Sequence, residues 1–211
     1  MNLQAARDNM IEQQVRPWDV LDQRVLDIFA KVPREHFLPD SLKSLAFSDT
    51  RLPIGYGRKM LNPNIEGRIL QNLALGESDQ VLEVGTGSGY LTACLASLSR
   101  HVESLEIIPE LASGADNKLK ELGISNYKIE VCDASANCGK GDLYDAIVLS
   151  GSTSDIPSVC KEKLAIDGKL FCFVGKHNFP VHHAVLVTRI SETEWSEEKL
   201  FETWVEPLDN F

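Results

Sequence analysis

Val81–Ala96, VLEVGTGSGYLTACLA, is the stretch that decides how this chain folds. Val81 to Val84 reads as a buried strand, Gly85, Gly87 and Gly89 as a turn, and the residues that follow as a helix. Leu91, Cys94, Leu95 and Leu98 fall at i, i+3, i+4 and i+7, so they share one helical face. Glycine in the turn lets a ligand approach the backbone, because no Cβ stands in the way. The helix start behind it presents N–H groups without intrahelical partners, which suits an anionic group. The segment therefore predicts a ligand site at the carboxyl end of a strand.

Working outward from it, strands and helices alternate from Gln80 onward. Strands are expected near 80–84, 102–107, 127–132, 144–149, 169–174 and 184–190, and helices at 90–99, 109–122 and 155–164. Leu111, Ala115, Leu119 and Leu122 keep helical spacing, and Gly123 stops that helix. Asp167–Gly168 predicts the turn into the fifth strand. Such alternation implies an α/β fold with a doubly wound, mostly parallel sheet. Residues before about 76 read instead as helices: one near Leu3–Arg16, one near Asp22–Val32 that stops at Pro33, and a short one after Pro39. An extended loop rich in glycine and proline follows at Ser48–Leu61. Asn62–Pro63 then reads as a helix N-cap with proline at the first helical position.

Composition narrows the class. The chain has 211 residues, 43% of them hydrophobic and 25% charged, which fits one globular domain with a substantial core. Its 31 acidic and 21 basic residues give a net charge of −10, against the basic surface that general nucleic-acid binding requires. The first residues mix charges without an apolar stretch, so no signal peptide is expected, and no apolar run reaches membrane-spanning length. Five cysteines and five histidines (36, 101, 177, 182 and 183) show no metal-ligand spacing, so no metal is expected. The cysteines read as reduced thiols of a cytoplasmic protein, and His182–His183 as structural.

The ligand can be read from the strand ends, since ligands of such sheets bind beyond the carboxyl ends of the strands. The dinucleotide fingerprint G-x-G-x-x-G does not fit, because its third glycine falls on Tyr90. The observed form, with Glu83 two residues before Gly85 and with Thr86 and Ser88 between the glycines, resembles motif I of S-adenosylmethionine-dependent methyltransferases. The second strand ends at Glu106–Ile107, where a carboxylate suits a ribose diol. The third ends at Asp133–Ala134, where an acid suits the exocyclic amine of adenine. Glu83, Gly85, Thr86, Gly87, Ser88, Gly89, Glu106, Ile107, Asp133 and Ala134 are thus the candidate S-adenosyl-L-methionine residues.

A narrower resemblance covers nearly the whole chain. MIEQQVRPWDVLDQRVLDIFAKVPREHFLPDSLKSLAFSDTRLPIGYG, then the glycine segment, ESLEIIPELA and LAIDGKLFCFVG, is similar to the protein-L-isoaspartate (D-aspartate) O-methyltransferase family. The resemblance implies a Rossmann-like methyltransferase core at 77–211, behind a helical extension and substrate loop at 1–76. It implies transfer of a methyl group to the α-carboxylate of isoaspartyl residues in damaged proteins, followed by collapse of the ester to a succinimide. A carboxylate is already ionised at pH 7, so the absence of an evident general base is no obstacle. Family members also carry a serine two residues before the proline of the loop, and here that position is Leu61. Three readings stand open. Arg58 and Lys59 supply the carboxylate contact; or the acceptor is a small molecule or one specific protein; or the chain binds S-adenosylmethionine without turnover. Trp18, Trp195 and Trp204 read as packing anchors, Ser150–Ser154 as turn residues and Glu192–Glu198 as a solvated face, and ETWVEPLDNF receives no contact.

Overall fold

The computed structural model describes residues 2–136, 138–141, 143–176 and 179–211. Helix α1 (Leu3–Met10) continues through a π turn at Ile11–Val15 and a 3-10 turn at Arg16–Trp18. Helix α2 (Gln23–Lys31) begins at Asp22, whose side chain accepts from the Arg24 N–H, and ends before Pro33. A 3-10 turn at Asp40–Leu45 follows Pro39. The expected extended loop holds a hairpin, β1 (Pro53–Gly55) and β2 (Arg58–Lys59), turning at Tyr56 and Gly57 with positive φ at both. Helix α3 (Pro63–Leu73) has proline in its first turn, but the Asn62 side chain does not cap it. That amide donates to Asp49 at 2.7 Å instead.

The alternating part begins with β3 (Gln80–Val84), α4 (Tyr90–Ala96), β4 (His101–Glu106), α5 (Pro109–Glu121) and β5 (Tyr127–Val131). It ends with β6 (Tyr144–Thr153), α6 (Ser158–Lys161), β7 (Leu164–Val174), β8 (His182–Arg189) and β9 (Trp195–Thr203). One seven-stranded sheet runs β5-β4-β3-β6-β7-β8-β9, parallel from β5 to β7 and antiparallel at β8 and β9. Strand order reverses at β3, between β4 and β6, and a doubly wound sheet opens a crevice at such a point. Strand β9 lies where the sequence suggested only a solvated acidic face. The face is indeed largely exposed, and its acidic and lysine side chains suit an edge strand that must not recruit another chain. Helix 155–164 shrinks to one turn, because Pro157 precedes it and Leu164 already belongs to β7. Asp167, at φ 65°, kinks β7 from within rather than leading into it.

Helix α4 was expected to bury one face, yet all seven of its residues are buried. The N-terminal helices roof it. Phe29 stacks on Tyr90 with centroids 6.2 Å apart, Phe37 meets the same ring edge-on at 5.6 Å, and the Arg34 guanidinium lies 4.8 Å from its centre. One apolar cluster thus contains Val25, Phe29 and Ile69 together with Leu91, Val148 and Phe171. The expectation of reduced cysteines fails in part. Cys138 and Cys160 form a disulfide between the segment after β5 and α6, while Cys94, Cys132 and Cys172 are free. His182 is buried against Trp204, with centroids 6.0 Å apart, and His177 lies outside the described residues. Among the described residues no helix is long and apolar enough to cross a membrane.

Candidate active site

A cleft, partly open to solvent, lies at the reversal point of the sheet. Its floor is the turn between β3 and α4. Gly85 and Gly87 line it, with φ of 92° and 54°, a backbone region that side chains rarely adopt. A Cβ on Gly85 would collide with Ser150 Oγ and stand 3.2 Å from Leu208. Ser150, within β6, donates to the Gly85 carbonyl at 2.6 Å and so fixes the turn from the side. Gly89 serves packing instead, because a Cβ there would sit 2.9 Å from that of Ala115 on α5.

Glu106 and Ile107 line the cleft where β4 ends. One Glu106 oxygen accepts from the Gly87 N–H at 2.8 Å and the other from the Ile108 N–H at 3.0 Å. These bonds fix the carboxylate plane, and each oxygen keeps a second lone pair for a ligand. Asp133 and Ala134 line it beyond β5. Hydrogen bonds from Ser135 and then Asn210 hold the Asp133 carboxyl below its ordinary range. Three other candidates lie beneath the turn rather than on the cleft wall. Glu83 is fully buried and accepts from Thr92 Oγ1 at 2.5 Å and Ser104 Oγ at 2.6 Å. Thr86 meets Ser104 at 2.6 Å, and Ser88 Oγ accepts from the Tyr90 N–H.

The hairpin brings Arg58 and Lys59 to the same cleft, and Leu61 forms part of its wall. Leu61 is 7% exposed, with its side chain in the core cluster. Its carbonyl accepts from Arg34, a buried guanidinium that also binds the Ala46 carbonyl and pairs with Glu66 on α3. Burial pushes the Glu66 carboxyl up to about 7, against the pull of Arg34. Sequence reasoning missed the segment after β9. Val205, Glu206, Leu208, Asp209 and Phe211 all line the cleft. Its backbone is fastened to β6, with Ser152 N donating to Glu206 O and Leu208 N to Ser152 O, each at 2.9 Å. Apolar Val205, Leu208 and Phe211 at three-residue spacing beyond an edge strand were the available signal, since they need a surface to cover.

This parallel sheet with a glycine floor and acidic strand ends is the architecture of Rossmann-like methyltransferases. A crystal structure described as a protein-L-isoaspartate O-methyltransferase of Plasmodium falciparum with S-adenosyl-L-homocysteine shares the fold, at TM-score 0.84 and 22% identity over 100% of both chains. The model of the protein-L-isoaspartate (D-aspartate) O-methyltransferase family matches residues 5–205, and the chain belongs to that family. It is 37% identical over 204 residues to protein-L-isoaspartate O-methyltransferase 1 of Rhodopseudomonas palustris, covering 97% of this chain and 83% of that one. It is 38% identical over 177 residues to the enzyme of Petrotoga mobilis, covering 83% of each.

Proposed function

We propose that this chain is a cytoplasmic, S-adenosylmethionine-dependent O-methyltransferase that esterifies the α-carboxylate of isoaspartyl residues as the first step of their repair. The observation that carries this reading is the meeting of Arg58 and Lys59 with the glycine floor and Glu106 in one cleft. The residues fit the methyl donor. Gly85 and Gly87 leave backbone bare where an amino-acid carboxylate would lie, and the fixed Glu106 carboxylate would take the ribose hydroxyls. Asp133 would face the adenine amine, and Ile107 and Ala134 the ring. S-adenosylmethionine, when bound, supplies a methyl group on a positively charged sulfur, the bonding electrons returning to sulfur as the group leaves. The protein's task is then to hold an ionised carboxylate oxygen in line with that methyl, and positioning of this kind accounts for most of the acceleration. Arg58 and Lys59 would take over the anchoring that a serine gives elsewhere in the family. In this division residues 1–76 serve the acceptor and 77–211 the donor. The buried Cys138–Cys160 bond is compatible with a reducing compartment, because thiols attack only disulfides that they can reach.

A second reading keeps the donor site and changes the acceptor, and the apolar Leu61 wall favours it. Labelled methyl transfer distinguishes the two. With radiolabelled S-adenosylmethionine, base-labile label is expected on an isoaspartyl peptide and not on its aspartyl isomer. Label found only on a small molecule of a cell extract would overturn the first reading in favour of the second.

A further inference from the structure

Arg51, Arg58 and Lys59 are three basic residues of the loop and hairpin, and the segment after β9 answers all of them. Asp209 pairs with Arg58. Glu206 places one oxygen 3.3 Å from Arg51 and the other 3.4 Å from Lys59. Arg51 has further partners, lying 4.4 Å from the centre of the Trp204 ring and donating to the Trp204 carbonyl. Lys59 has Glu206 as its one ion-pair partner among the described residues. The Glu206 backbone cannot retreat. It is bonded to Ser152, and a Cβ on Gly151 would stand 2.9 Å from its carbonyl. Lys59 and Glu206 therefore separate by side-chain rotation, with the Glu206 backbone in place.

The position of this cluster gives it a role. A second cavity, lined by Trp18, Arg51, Asn62, Asn64 and Trp204, shares Leu61 and Val205 with the donor cleft. Glu206 and its cations stand where the two cavities adjoin. An acceptor approaching the donor across Leu61 reaches Lys59 there and finds it already held by a carboxylate. Both partners are partly exposed, so the internal pair is weak enough to exchange. Glu206 also lies beyond the residues that the family model matches. Resting on the isoaspartyl reading above, we propose that Glu206 is a specificity-determining residue: it occupies Lys59 in the resting protein, and only an acceptor whose carboxylate replaces it there is held for methylation.

Steady-state methylation of an isoaspartyl peptide by the full chain and its Glu206→Gln variant tests this, with S-adenosylhomocysteine titrated into both by calorimetry. Loss of the internal competitor is expected to lower the peptide KM about two- to fivefold, with a larger effect on KM than on kcat. Measurable S-adenosylhomocysteine binding by the variant shows that it folds. A peptide whose α-carboxylate is amidated has no acceptor oxygen and, used as an inhibitor, is expected to inhibit both proteins equally. An unchanged or raised KM, with the wild type active, overturns the role of Glu206 and leaves the isoaspartyl reading standing. If both proteins bind S-adenosylhomocysteine and neither methylates the peptide, the isoaspartyl reading falls and this proposal falls with it.

Discussion

Glu83 shows what a motif gives at the scale of one residue and what it withholds. Its place two residues before the first glycine marks the end of β3, and the strand is there. The motif does not say which face the side chain takes. Successive strand residues point to opposite faces, so Val84 lines the cleft while Glu83 turns toward Thr92 on α4. There burial pushes its carboxyl up to about 8, only partly offset by the Ser104 and Thr92 hydroxyls. Oε1 has no hydrogen-bond partner among the described residues. The unfolded chain releases this proton near pH 4.5, whereas the folded protein keeps it until about 8. Stability from this group is therefore complete below pH 4.5 and is lost as pH rises through 8. Glu66 adds a slope of the same sign up to about 7. Urea unfolding from pH 5 to pH 8 should show declining stability, and Glu83→Gln should remove on the order of 3 kcal/mol of that decline. An unaltered slope would mean that Glu83 is ionised in the folded protein.

At the scale of elements, periodicity recovered what has a period. Strands β3, β4 and β5 and helices α2, α3 and α5 stand within a few residues of their expected places; β3 buries a nearly continuous apolar run and the helices bury a regular stripe. The hairpin at Pro53–Lys59 and strand β9 were illegible for the opposite reason, since their side chains are mostly exposed and carry no alternation. The Cys138–Cys160 bridge was illegible too, because pairing depends on where two distant segments meet. It ties the segment carrying Asp133 and Ala134 to α6 across a sequence separation of 22. Closing a loop of that size in the unfolded chain is worth about 3 kcal/mol. Urea unfolding of Cys160→Ser beside the wild type should show a loss of roughly 2–4 kcal/mol, with α/β content retained by circular dichroism. Equal stability would mean that the bridge constrains nothing.

The whole molecule builds its cleft from regions far apart in sequence. The hairpin at Arg58–Lys59 forms one wall, the ends of β3, β4 and β5 form the floor, and Val205–Phe211 closes the remaining side. Strand ends could be ordered from sequence because the sheet is regular. The closing segment could not, because its contacts are set by the tertiary path that carries the chain after β9 back beside β6. Asn210 donates to Asp133 at 2.7 Å and Asp209 pairs with Arg58, so this segment links the Asp133 end of the cleft to the hairpin. Beyond the buried Val205, its apolar share is Leu208 and Phe211, which pack beside the smaller core cluster without being buried in it. Removing residues 208–211 should therefore leave the sheet folded, with a melting temperature of the ligand-free protein lowered by only a few degrees. The cleft would lose one side. S-adenosylhomocysteine affinity by calorimetry should fall about tenfold or more, and the stabilisation that saturating ligand gives should shrink in proportion. Full-strength binding by the shortened chain would show that the segment covers the cleft without contributing to it.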